Sequence, residues 1–211
     1  AYEYGSASAG NTLVVTTIHG DFKREFRTRP FSNIQVSPVA FSKDNRNIIF
    51  MRQQGLTIFN LNKKIEENID SVSSFSVAEK GNGRWLQYYK PWSKTLHLRD
   101  LWTSKEQIYK GIDQYILSKD GLTIALKADD DLLLLRTVEG VPKPIFKGEV
   151  HQLTFDDSGL QLAFIAQKGG DQKIFSCSVL DPLIRILASN EEIAEGEHRK
   201  IADSYLNFSP D

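Results

Sequence analysis

A short phrase recurs along this chain and limits what the chain can fold into. It stands as Phe41-Ser42-Lys43-Asp44-Asn45, as Leu117-Ser118-Lys119-Asp120-Gly121 and, at the end, as Asn207-Phe208-Ser209-Pro210-Asp211. Worn copies occur at Phe155-Asp156-Asp157-Ser158-Gly159 and around Ala78-Glu79-Lys80-Gly81-Asn82. Aligned on Phe41, Ala78, Leu117, Phe155 and Phe208, the copies are about 37, 39, 38 and 53 residues apart. That spacing belongs to arrays and propeller blades, not to coiled coils or collagen.

Each copy has the same internal order. A short apolar strand comes first, as in Val36 to Phe41 or Gln152 to Phe155. A polar turn of Asp, Asn, Gly and Lys follows, residue types that tolerate positive φ or close a turn through their own side chains. The second strand is Asn47 to Met51, Arg84 to Tyr88, Thr123 to Leu126 or Gln161 to Ile165. The third is Leu56 to Leu61, Thr95 to Leu101, Leu132 to Val138 or Lys173 to Leu180. A weaker fourth stretch, such as Ile108-Tyr109 or Ile145-Phe146, closes the unit.

Four short antiparallel strands per unit predict an all-β fold, a β-propeller of roughly four to five blades. The blades fall at about 1–30 (partial), 31–70, 71–110, 111–148 and 149–188, with an insertion at 189–203 and a partial blade at 204–211. The hairpin of Leu13 to Ile18 and Phe22 to Phe26 reads as the third and fourth strands of a blade. Tyr205 to Phe208 reads as the first strand of another, so the expected ring is incomplete. Ser189 to Ala202 is the best helical candidate, with Asn190 as cap and Glu191-Glu192 in its first turn.

Composition removes several function classes. The balance of 26 basic and 27 acidic residues gives no bulk attraction to nucleic acid or anionic lipid. Basic residues do not cluster with aromatics along one face, which argues against nucleic-acid binding. The longest apolar run, Leu132-Leu133-Leu134-Leu135, is strand-sized, so no membrane span is expected. The N-terminus lacks Met and a signal-peptide core. A single Cys177 excludes an internal disulfide, and its strand setting predicts a buried, inert thiol.

The aromatic-Ser-x-Asp-Gly phrase followed by an apolar strand resembles the blade motif of TolB-like propellers. It also resembles the N-terminal propeller of prolyl oligopeptidase-family (dipeptidyl-peptidase-like) serine peptidases. The clearest matches are Tyr115 to Gly121 with Thr123 to Leu126, and Leu206 to Asp211. WD-repeat proteins fit less well, because no Trp-Asp pair ends a blade. In the peptidases the propeller caps a C-terminal α/β-hydrolase domain and filters or positions the peptide substrate. The resemblance thus implies a non-catalytic propeller with a peptide substrate and a hydrolase domain as partners, in a periplasmic or secreted setting. The alternative is a TolB-like scaffold for another protein. No catalytic residue carries over: Gly5-Ser6-Ala7-Ser8-Ala9 lacks the final Gly of a nucleophile elbow. The dipeptidyl peptidases hold a substrate amine with a Glu-Glu pair, which here implies Glu191 and Glu192 as substrate-binding residues. The aromatics that precede that pair in the family are replaced by Leu187-Ala188-Ser189-Asn190. The competing reading is a charge pair at a helix N-terminus.

Other chemistry is sparse. His19, His97, His151 and His198 show no metal spacing, and no cofactor is implied. Asp129-Asp130-Asp131 runs straight into Leu132, which predicts a hairpin turn and not a calcium loop. Ser118-Lys119-Asp120-Gly121 lacks the spacer and distal Trp of a sialidase Asp box, so a carbohydrate-active propeller ranks last. Trp85 is expected in the core and Trp102 packed between blades. Pro91-Trp92 would make a binding patch if exposed.

Overall fold

The computed structural model describes residues 2–6, 10–17, 19, 22–28, 39–77, 84–137, 139–168, 171–190 and 206–208. It is built almost wholly of strands. The first sheet holds β1 (Tyr2–Ser6), β2 (Gly10–Thr16) and β3 (Lys23–Thr28). The second holds β4 (Val39–Phe41), β5 (Asn47–Arg52), β6 (Gly55–Asn60) and β7 (Ile65–Asp70). The third holds β8 (Ser74–Val77), β9 (Trp85–Lys90), β10 (Thr95–Asp100) and β11 (Glu106–Lys110). The fourth holds β12 (Ile112–Leu117), β13 (Thr123–Ala128), β14 (Asp131–Arg136) and β15 (Lys143–Lys147). The fifth holds β16 (Glu149–Phe155), β17 (Gln161–Lys168), β18 (Asp171–Ser178) and β19 (Arg185–Ser189).

Every sheet is an antiparallel meander in chain order. β4 touches β8 and β12 touches β16, which puts the first strand of these sheets on the inner side and the fourth at the periphery. Successive meanders packed in this way form a β-propeller. The ring is not closed among the described residues. No helix among them is long and apolar enough to cross a membrane.

Side-chain alternation builds the core. Successive residues of a strand point to opposite faces. Ile48 and Phe50 of β5 therefore face the first sheet, where they meet Leu13, Val15 and Phe26. Ile49 and Met51 face the third sheet and meet Phe75, Leu86 and Tyr88. The same division recurs in β13. Ile124 and Leu126 pack with Leu96 and Leu98 of the third sheet, while Ala125 joins Leu162 and Phe164 of the fifth. The second and third strands thus read as unbroken apolar runs because both faces are covered. Outer strands such as β7 and β11 stay largely exposed. Aromatic clusters fix two of the interfaces. Phe26 lies 4.9 Å from Phe50 and 5.2 Å from Phe59, and Phe146 lies 5.1 Å from Phe164 and 5.0 Å from Phe175.

The repeated phrase forms one hydrogen-bond circuit. Ser42 Oγ accepts the Asn47 N–H at 2.9 Å and donates to Asp44 Oδ1 at 2.6 Å. Asp44 Oδ1 in turn accepts the Arg46 N–H at 3.1 Å. Ser118 and Asp120 repeat this with the Thr123 and Leu122 N–H groups, at 3.0 and 2.9 Å. The worn copy exchanges the two side chains. Asp156 Oδ1 accepts the Gln161 N–H at 2.8 Å, Ser158 donates to Asp156, and Ser158 Oγ accepts the Leu160 N–H at 3.3 Å. The fourth residue of each turn has positive φ: 54° at Asn45 and 72° at Gly121 and Gly159. That conformation favours Gly and Asn. A Cβ added at Gly159 would sit 3.0 Å from the Ser118 Cβ, so these two neighbouring turns pack together. Lys119 also pairs with Asp157 across them. The copy around Ala78 to Asn82 lies outside the described residues.

Two sequence expectations change. The first sheet has a strand before its hairpin, since β1 pairs with β2 from Tyr2↔Val14 to Ser6↔Gly10. Tyr-Glu-Tyr-Gly-Ser offers no apolar run by which to see it. Of the expected terminal strand, Leu206 to Phe208 is irregular. It pairs with no described strand, and an unpaired strand has nothing to hold it. Asp129 and Asp130 do form the hairpin turn between β13 and β14. Cys177 is 2% exposed, and burial pushes its thiol up to about 11, so it is inert near neutral pH.

Substituting Ser118→Ala removes the acceptor for a buried N–H and should cost about 1–3 kcal/mol in urea unfolding. Ser158→Ala leaves Asp156 holding the Gln161 N–H, and should cost under about 1 kcal/mol. Equal losses for the two variants would refute the circuit.

Candidate functional site

The described residues enclose a cleft of about 330 Å³ between the second and third sheets. Its walls are hairpin tips. One is the turn between β4 and β5, which brings Asp44 and Arg46; another is the turn between β6 and β7, which brings Asn62 and Lys63. The third, between β10 and β11, brings Leu101, Trp102 and Ser104. Ile58 and the Arg99–Glu67 pair lie beneath these tips.

Each wall is held by its own polar bonds. Asn60 donates from Nδ2 to Asn47 Oδ1 at 3.0 Å, and its Oδ1 accepts the Lys63 N–H at 2.8 Å. The Leu61 N–H donates to the Arg46 carbonyl at 2.7 Å, tying two tips together. Burial alone would raise the Asp44 carboxyl. Hydrogen bonds from Ser42 and the Arg46 N–H outweigh it, and the group sits below its ordinary value.

The third tip is organised by Asp100, which is almost fully buried. It accepts the Trp102 N–H at 2.9 Å and the Thr103 hydroxyl at 2.8 Å, and it pairs with Arg84. The Arg84 guanidinium lies 5.3 Å from the Trp85 ring centre and 5.2 Å from that of Trp102. A cation over an aromatic face is an attractive contact. Trp102 is therefore held upright at the hairpin tip with 55% of its surface exposed.

Across the cleft floor, Arg99 of β10 donates to both carboxylate oxygens of Glu67 on β7, one of them at 2.7 Å. The bidentate bond pushes Arg99 further toward its charged form. Glu66, the preceding residue, faces the other way and takes Arg24 of β3 at 2.7 Å. Adjacent carboxylates on one outer strand thus clamp the sheets on either side. Behind Arg99, the Tyr88 phenol donates to Glu106, and burial with this bond drives the phenol pKa upward. His97 stacks on Tyr88 with ring centres 4.6 Å apart, and its Nε2 is 3.1 Å from Thr95 Oγ1.

The sequence expectations map onto this site unevenly. Trp102 is not packed between blades but stands exposed on the cleft wall. Trp85 is partly buried against the core of the third and fourth sheets, as expected. Trp92 is 93% exposed in a 3-10 turn and does not line this cleft. Glu191, Glu192 and His198 lie outside the described residues. The polar group on β10 escaped notice, although the alternation Thr95-Leu96-His97-Leu98-Arg99 places three polar side chains on one face of a strand.

No family model matches this chain, and no curated protein matches it in sequence. Solved structures do match. Hydrazine synthase of Kuenenia stuttgartiensis is similar at 13% identity with a TM-score of 0.46, over 75% of this chain and 51% of that one. The β-propeller domain of Cps50 (Swd1) from Myceliophteria thermophila is similar at 13% identity with a TM-score of 0.48, over 87% and 67%. This chain spans about half the length of the hydrazine synthase chain.

The Asp100 geometry sets a pH response. The Arg84 bond holds its carboxyl well below the usual carboxylate range, against the opposing effect of burial. The unfolded chain then takes up the proton first as pH falls. The stabilisation is complete above the unfolded value of about 4 and is lost below it. Asp100→Asn should cost about 1–3 kcal/mol at neutral pH. Its thermal stability should also fall less steeply than that of the parent between about pH 5 and 3. Parallel melting curves would remove this role.

Proposed function

We propose that this chain is a non-catalytic propeller module that binds a segment of a partner protein in the cleft between its second and third sheets. The observation that carries the reading is Trp102. A tryptophan held half exposed by a buried aspartate and a stacked arginine is a prepared contact surface. Such residues dominate the binding energy of protein interfaces. The cleft lies near the lower end of the range of binding pockets, about 300–1,000 Å³. Its bonded walls would need little ordering on binding, which favours affinity.

Affinity selection from the source proteome, quantified by mass spectrometry, tests this. Partners should be depleted at least about tenfold on Trp102→Ala relative to the parent. Trp92→Ala should leave them unchanged. Identical partner sets on all three proteins would reject the reading.

A second reading is that the module belongs to a prolyl oligopeptidase-type serine peptidase and admits peptides to a hydrolase domain. The Ser-x-Asp turns at Ser42 and Ser118 support it, because they give the quoted phrase a shared structural role. On this reading the full-length gene encodes a Gly-x-Ser-x-Gly elbow, then Asp and His, beyond Asp211. A stop codon shortly after Asp211 would exclude it.

A further inference from the structure

We infer that the segment taken by the cleft is acidic; this rests on the interaction-module reading above. Few of the cleft's polar groups remain unused. Asp44 Oδ1 is taken by Ser42 and the Arg46 N–H, and its Oδ2 faces the Arg46 guanidinium at 3.6 Å. Both oxygens of Glu67 are held by Arg99. Both ends of the Asn60 amide are bonded within the wall. What remains among the described lining residues is the Lys63 ammonium, which has no carboxylate partner among them, together with the Asn62 amide, the Ser104 hydroxyl and the Trp102 ring. Arg46 is held only loosely, with Nε 3.6 Å from Asp44.

The unpaired charge is therefore positive, because each carboxylate lining the cleft already faces an arginine. A polyol needs donors and acceptors side by side, and the side-chain acceptors left here are two neutral groups, the Asn62 carbonyl and the Ser104 hydroxyl. A carboxylate needs donors only, and bonds between ionised groups are about twice as strong as neutral ones. The Asn62 amide suits a peptide carbonyl, and the Trp102 face suits a proline or aromatic neighbour. A volume of about 330 Å³ admits a few side chains, not an extended oligomer. The occupant that fits is a short peptide stretch with an Asp or Glu beside an apolar residue.

A random dodecapeptide phage library, panned on the parent, Trp102→Ala and Lys63→Glu proteins, tests this. Both residues are exposed, and thermal melts check that the variants fold. Peptides selected by the parent and lost on Trp102→Ala should carry Asp or Glu. A synthetic copy should bind Lys63→Glu at least about tenfold more weakly. Its Asp→Asn or Glu→Gln version should lose a comparable factor against the parent. Trp102-dependent peptides without acidic residues, or ones indifferent to Lys63→Glu, would overturn the acidic preference and leave the module reading standing. Absence of any Trp102-dependent peptide would overturn both. Binding of a polygalacturonate oligomer that depends on Lys63 and Trp102, with no peptide selected, would also overturn the proposal and place an anionic sugar there instead.

Discussion

No sheet of this protein is stable alone, and the rest of the structure follows from that. The second and third strands are apolar on both faces, so each sheet needs a neighbour on either side. Ile49 and Ile124 are completely buried because the neighbouring third sheet covers both of them. This double covering fixes the register of the central strands. A slip by one residue would exchange the two faces, sending Phe50 into a space shaped for Ile49. The hairpin tips inherit their positions from that packing. A cleft formed by three tips of two sheets is thus a product of core packing and not of loop sequence.

The repeat was legible because its physics is local. Ser-x-Asp followed by Asn or Gly encodes a turn through bonds within six residues, and the apolar runs beside it encode strands. β1 was not legible: Tyr-Glu-Tyr-Gly-Ser is strand only by pairing with β2. Trp102 was misplaced because a tryptophan suits both a core and a surface. The choice was made by Asp100 and Arg84, which meet only once β9 and β10 pair at Asp100↔Trp85. The cleft itself depends on contacts between Asn47 and Asn60, and between Glu67 and Arg99, whose partners no spacing rule connects.

Most polar groups of the cleft walls are bonded to one another before anything binds. Asp44, Asn60, Glu67 and Asp100 are all engaged within the protein, and the groups left over are a lysine, an amide, a hydroxyl and an aromatic ring. Rigid walls with few free groups favour selectivity over versatility, because a ligand that does not match the remaining donors gains little. The buried Tyr88 and His97 rings behind Arg99 belong to the same logic, joined to the more exposed Glu106.

The exchanged turn at Asp156 and Ser158 bears on how such repeats drift apart. Two copies carry serine first and aspartate third, and this one carries the reverse. A copy moving between these forms by single substitutions passes through either Ser-x-Ser or Asp-x-Asp. The second brings two carboxylates together where one should donate to the other, and like charges side by side disfavour that form. The first leaves two hydroxyls that still complete the circuit. The accessible mutational route therefore runs through the all-serine intermediate, and repeats of this kind are better aligned by their bonds than by their letters.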